Sequence, residues 1–104
     1  MVVKLLAKAY PKEGMKKEEF KDYWLNKHAP LAKRMPKLRK YVISIVENSE
    51  GEEPGYQGIA ELWFDSLEDM RIAFNSPEGK KAVEDVKNFC RKVTTVTLEE
   101  HVII

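Results

Sequence analysis

The chain has 104 residues, of which 43% are hydrophobic and 34% charged, with a formal net charge of +1. This length fits one domain over residues 1–104 with room for an apolar core, and the balanced charge gives no general pull toward nucleic acid or an anionic membrane. The single cysteine, Cys90, excludes an intramolecular disulfide and a paired-cysteine metal knuckle. Lys4 and Lys8 interrupt the apolar start and no apolar run reaches membrane-spanning length, so neither a signal peptide nor a span is expected. A cytoplasmic, reducing location follows as the default expectation.

Val2 to Tyr10 reads as a strand, with Val3, Leu5, Ala7 and Ala9 alternating against Lys4, Leu6, Lys8 and Tyr10. Pro11-Lys12-Glu13-Gly14 is the turn that ends it. A helix is expected from about Lys17 to Arg34, with Glu18 and Glu19 in the first turn, where the dipole favours acids, and Pro36 closing it. Tyr41, Ile43 and Ile45 alternate with Val42, Ser44 and Val46 in a second strand, and Asn48 to Gly55 is a loop. Ile59 to Phe64 forms a third strand, paired with the second as a hairpin.

Asp65 or Ser66 should cap the next helix, whose inner stripe is Met70, Ala73 and Phe74. Ser76-Pro77-Glu78 starts a further helical segment, with Val83, Val86 and Phe89 facing inward. Val93 to Ile104 reads as a final β-branched strand. The order β-α-β-β-α-β implies an α+β, ferredoxin-like antiparallel sheet with both helices on one face.

Such a sheet leaves one face uncovered. The pairs Val42/Ile43, Leu62/Trp63 and Val93/Val96 put apolar groups on both faces of three strands. We therefore expect the open face to be buried against a second copy, as a two-fold dimer with a shared barrel-like core. RNA-binding domains use the same element order and stack bases on strand aromatics. Here Ile59 and Glu61 stand where those aromatics belong, and nucleic-acid binding is not expected.

The densest chemistry lies in Phe20-Lys21-Asp22-Tyr23-Trp24-Leu25-Asn26-Lys27-His28-Ala29-Pro30-Leu31. Phe20, Trp24, His28 and Leu31 fall at i, i+4, i+8 and i+11, on one helix face. Pro30 has no N–H and crowds the carbonyl of Asn26, so regular helical bonding should falter there. An inward imidazole can take a proton from a carbon acid and return it. The structural alternative, a core histidine bonded to a freed carbonyl, remains open. A second polar group would hold an enolate oxygen; Tyr23, Tyr10 and Tyr56 are the candidates. Trp24, Phe20, Trp63 and Phe64 would supply flat apolar walls, with packing the first role of Trp24 and Phe20 and ligand contact secondary.

Glu61 is expected to pair with Lys4 or Lys8, His101 to lie at the surface or an interface, and Cys90 to be a buried, inert thiol. His28 and His101 are too far apart to give local metal-ligand spacing, so no metal is expected.

Several segments carry a family resemblance: Phe20-x-x-Tyr23-Trp24-x-x-x-His28-Ala29-Pro30-Leu31, Gly58 to Ser66, Ser76-Pro77-Glu78-Gly79, and Glu99-Glu100-His101-Val102-Ile103. In these the chain resembles the EthD family of dimeric α+β barrel proteins. The resemblance implies a ferredoxin-like protomer, a homodimer through sheet faces, and a pocket between each sheet and its helices. It also implies an association with ether degradation, and kinship with muconolactone isomerases, polyketide cyclases and decarboxylases or dehydratases that work without metal or organic cofactor. A haem-holding relative would use a single histidine, here His28, but Trp24 and Trp63 make the pocket narrow. Two readings stay open: a cofactor-free isomerase, cyclase or decarboxylase with His28 as acid/base, or a non-catalytic ligand-binding accessory protein of a degradation pathway.

Overall fold

The alternation read from the sequence builds a four-stranded antiparallel sheet in the order β2-β3-β1-β4, from β1 (Val3–Pro11), β2 (Lys40–Ile45), β3 (Gly58–Phe64) and β4 (Cys90–Glu99). The computed structural model describes residues 2–48 and 55–104; the expected loop, apart from Asn48 and Gly55, lies outside them. Helices α1 (Lys17–Tyr23), α2 (Ala29–Ala32), α3 (Leu67–Asn75) and α4 (Pro77–Asp85) complete a ferredoxin-like α+β fold.

Register decides which side chains meet the helices. Val3 lies opposite Phe64, Leu5 opposite Leu62 and Ala7 opposite Ala60, while Tyr41 pairs with Leu62 and Val93 with Ala9. Because strand side chains alternate, these residues share the core face, where Phe20, Phe64 and Phe89 are fully buried. The centre of that face carries small residues, Ala7, Ala9 and Ala60, with Ala32 and Ala82 on the helices. Small groups facing small groups leave space, and this is where the cavity lies.

The first helix is not regular. Between α1 and α2, Trp24–His28 forms one wide π turn, in which the Ala29 N–H donates to the Trp24 carbonyl five residues back. Pro30 offers no N–H to Asn26, so the faltering expected at Pro30 appears upstream as this turn. The additional residue per turn shifts the helical phase. The inward position after His28 is therefore Ala32, 3% exposed, while Leu31 is half-buried, and the helix ends at Ala32 rather than Arg34.

Other boundaries also moved. Ser66 caps α3 by accepting from the Asp69 N–H at 3.1 Å, and Ser76 caps α4 by accepting from the Gly79 N–H at 3.0 Å. A Cβ at residue 79 would overlap the Ala73 carbonyl, so glycine permits the tight α3–α4 corner. Gly79 and Ala82 face inward on α4, and Val83 is 55% exposed, contrary to the expected stripe. The last strand ends at Glu99; residues 100–104 continue without regular structure.

Leu6, Val42, Ile59, Trp63 and Val96 alternate onto the opposite, helix-free face. Charge is present there too. Lys4 Nζ lies 2.9 Å from Glu61 and 3.4 Å from Glu100, and Trp63 Nε1 donates to Glu100 at 2.9 Å. The hydrogen bond to Glu61 raises the Lys4 ammonium above its usual value against the cost of burial. The expected Lys4–Glu61 pairing is thus present.

Candidate active site

A cavity of about 300 Å³ lies between the core face of the sheet and the helices. Ala7, Ala9 and Ala60 form part of its floor, Trp24, Phe74 and Phe89 its aromatic walls, and Val83 its exposed rim. Its volume is at the lower end for small-ligand sites.

His28 lines this cavity and is 7% exposed. Its Nδ1 lies 2.9 Å from Oδ2 of Asp85, the last residue of α4. The other Asp85 oxygen accepts from the Tyr23 hydroxyl at 2.7 Å and from the Asn88 amide at 2.9 Å. Burial pushes the Asp85 carboxyl upward, but the hydrogen bonds from Asn88, Tyr23 and His28 outweigh it and hold the group below its ordinary value. The bond to Asp85, then burial, raises the Tyr23 phenol.

An ionised carboxylate only accepts, so Nδ1 carries the proton and neutral His28 has its lone pair on Nε2. No fully buried side-chain nitrogen or oxygen among the described residues lacks a partner, and Nε2 makes no hydrogen bond. That nitrogen is therefore accessible on a cavity-lining ring. Phe89 packs against the imidazole at 4.8 Å and stacks on Tyr23 at 5.3 Å, fixing both rings.

The sequence candidates separate into distinct places. His28 and Trp24 line the cavity, and Trp24 donates its indole N–H to the Tyr41 hydroxyl at 3.2 Å. Tyr23 reaches the site through Asp85. Phe20 and Phe64 lie in the fully buried core without lining the cavity. Tyr10 and Tyr56 meet edge-on at 6.0 Å elsewhere on the sheet, among Lys8, Arg91 and Lys92. Trp63 stands on the open face between Lys4 and Lys40. His101 is exposed beside Glu99. Among the described residues, no group of three or more His, Cys, Asp and Glu side chains could hold a metal ion.

Asp85, Asn88 and Tyr41 escaped the sequence reading. Asp85 had left a signal, since an acid in the last turn of a helix opposes the dipole and asks for a compensating partner. It also lies four residues before the inward Phe89 in the sequence.

The fold and this pocket define a ferredoxin-like protein with a histidine–carboxylate pair facing an apolar cavity. The EthD domain matches residues 12–92, and the chain belongs to the EthD family. A protein of Rhodococcus erythropolis, described as an uncharacterised 11.0 kDa protein in the thcB–thcC intergenic region, is 30% identical over 86 residues, covering 82% of this chain and 84% of its own. The crystal structure of an EthD family protein from Bacillus halodurans superposes with a TM-score of 0.85 at 29% identity, covering 97% of this chain and all of the other. Hydroxynitrile lyase from Passiflora edulis shares the fold at TM-score 0.77 and 16% identity, over 97% of this chain and 96% of the lyase. A dimeric ferredoxin-like protein of Thermobifida fusca does so at 0.73 and 12%, over 94% and 90% of the two chains.

Proposed function

We propose that the cavity binds a small hydrophobic carbonyl, lactone or polyketide-like compound, and that His28 moves a proton on it without a cofactor. The reaction is of the isomerase, cyclase or decarboxylase type, and the protein acts in the cytoplasm. The observation that carries this reading is the fixed Nδ1 of His28 on Asp85, which leaves Nε2 free as a base in an apolar enclosure. Asp85 then stabilises the imidazolium that forms, and Tyr23 and Asn88 steady Asp85. Trp24 gives a flat wall for the ligand, with Phe20 and Phe64 packing the core around the site. The hydroxynitrile lyase of the same fold is an enzyme, which supports a catalytic reading.

The same reading places a second copy of the chain on the open sheet face. Leu6, Val42, Ile59 and Val96 supply apolar area there, and the Thermobifida fusca protein of this fold is dimeric.

Proton exchange tests the chemistry without knowing the substrate. Acetophenone and a panel of lactones in D2O should lose their α-proton NMR signals with the protein and keep them with His28→Ala. A second reading, a non-catalytic ligand-binding accessory protein, is favoured by the predominantly apolar lining of the cavity. Saturable binding with no exchange across the panel would select it.

A further inference from the structure

We propose that Tyr41 holds the carbonyl oxygen of the bound compound, so that the cavity selects ketones and lactones over hydrocarbons of the same shape. This rests on the reading of the cavity as a ligand site given above. Tyr41 stands on β2 opposite Leu62, on the core face, and lines the same cavity as His28. An indole nitrogen only donates, so in the 3.2 Å contact with Trp24 the Tyr41 oxygen is the acceptor and its own proton points elsewhere. No described residue accepts that proton. Burial raises the Tyr41 phenol, against the Trp24 bond, so it stays a protonated donor. Accepting from Trp24 also polarises the O–H and strengthens its donation.

Few polar side chains compete for the role. The cavity lining otherwise offers the His28 Nε2, the buried Cys90 thiol and the hydroxyl of Thr95. A thiol is a weak donor, and Tyr10 and Tyr56 lie outside the lining. An incoming carbonyl would satisfy the Tyr41 O–H, whereas a hydrocarbon would cover it and leave it unpaired.

The resulting step balances. With the carbonyl oxygen on Tyr41, the proton of the adjacent carbon passes to His28 Nε2. The C–H electron pair becomes the enolate π bond, and the negative charge collects on the oxygen that Tyr41 holds. The imidazolium, still paired with Asp85, returns the proton to the same carbon or another.

Acetophenone and α-methylstyrene test this directly, because C=O is replaced by C=CH2 with little change in shape. Calorimetric titration of the intact protein should show acetophenone bound about fivefold more tightly, the worth of one net hydrogen bond. Tyr41→Phe should erase that preference, because acetophenone loses its hydrogen bond and α-methylstyrene no longer buries an unpaired hydroxyl and binds more tightly than to the wild type. The infrared carbonyl stretch of bound 13C-acetophenone should move to lower frequency in the wild type and in His28→Ala, and return to its apolar-solvent value in Tyr41→Phe. Should that variant not fold, an unshifted carbonyl in the wild type alone overturns the proposal. A preference that survives Tyr41→Phe also overturns it. If neither probe binds saturably, the proposal falls together with the cavity reading. Equal binding of both probes, with α-exchange still abolished in His28→Ala, removes Tyr41 and leaves the His28 reading intact.

Discussion

Nδ1 of His28 and Oδ2 of Asp85 lie 2.9 Å apart, although the two residues are 57 positions apart in the chain. The carboxylate fixes both the orientation of the ring and the nitrogen that carries its proton. In the neutral form, 15N NMR should therefore show His28 as the Nδ1–H tautomer, and Asp85→Asn should lose that bias. On any substrate turned over, Asp85→Asn should lower kcat by about 10²–10⁴-fold, the usual scale of acid–base assistance. An unchanged tautomer and rate in the variant would remove Asp85 from the mechanism.

Acid should expose the same carboxylate thermodynamically. Burial opposes ionisation of Asp85, but the bonds from Asn88, Tyr23 and His28 prevail, so its folded value lies below the unfolded one of about 3.9. A depressed carboxyl stabilises the fold above its unfolded pKa, and that contribution disappears as pH falls through the folded value. Urea unfolding should show Asp85→Asn less stable than wild type by about 1.5–3 kcal/mol above about pH 5. The gap should narrow toward pH 2; a constant gap across that window contradicts the assignment.

Gly58 sets the position of the indole beside the cavity. A Cβ there would run into the six-membered ring of Trp24 and press on the Ser44 carbonyl. Gly58→Ala should therefore cost about 1–3 kcal/mol of overpacking. It should also shift tryptophan emission by displacing Trp24 from Tyr41. Thermal unfolding and fluorescence spectra check both effects, and a variant matching wild type in each refutes the contact.

Cys90 should behave as an inert thiol. Burial, reinforced by the charge of Asp85, pushes it up to about 12, and the reactive species is the thiolate. Iodoacetamide at pH 8 should label the native protein far more slowly than the urea-unfolded chain. Rapid native labelling would show the thiol to be open.

Val96, 52% exposed, tests the open face. Val96→Glu would place a charge at the proposed contact between copies, and should convert a dimer into a monomer near 12.1 kDa with unchanged circular dichroism. Sedimentation velocity on both forms decides this; a monomeric wild type ends the dimer proposal.

The elements were legible because strand alternation and helix caps are local signals. Ser66, Ser76 and the β1 alternation needed nothing beyond neighbouring residues. Leu31 was misplaced because a π turn alters the period that the reading assumed, and its cost and geometry are not written in side-chain pattern. His28 was visible from its apolar neighbours, whereas its partner was not, since Asp85 arrives from another helix. Tyr41 looked like one of many strand aromatics until the sheet register and the Trp24 bond gave its hydroxyl a direction.

The π turn and the end of α4 are each ordinary pieces of backbone until Asp85 joins them. The imidazole is supplied by the βαβ segment before the hairpin connection and the carboxylate by the one after it. A chain with its β2–β3 hairpin formed but its helices undocked contains every residue of the candidate site and no assembled site. Assembly of the His28–Asp85 pair thus certifies completed folding, and a sensitive measure of that pair, such as the His28 tautomer, would report native protein where secondary structure alone would overcount it.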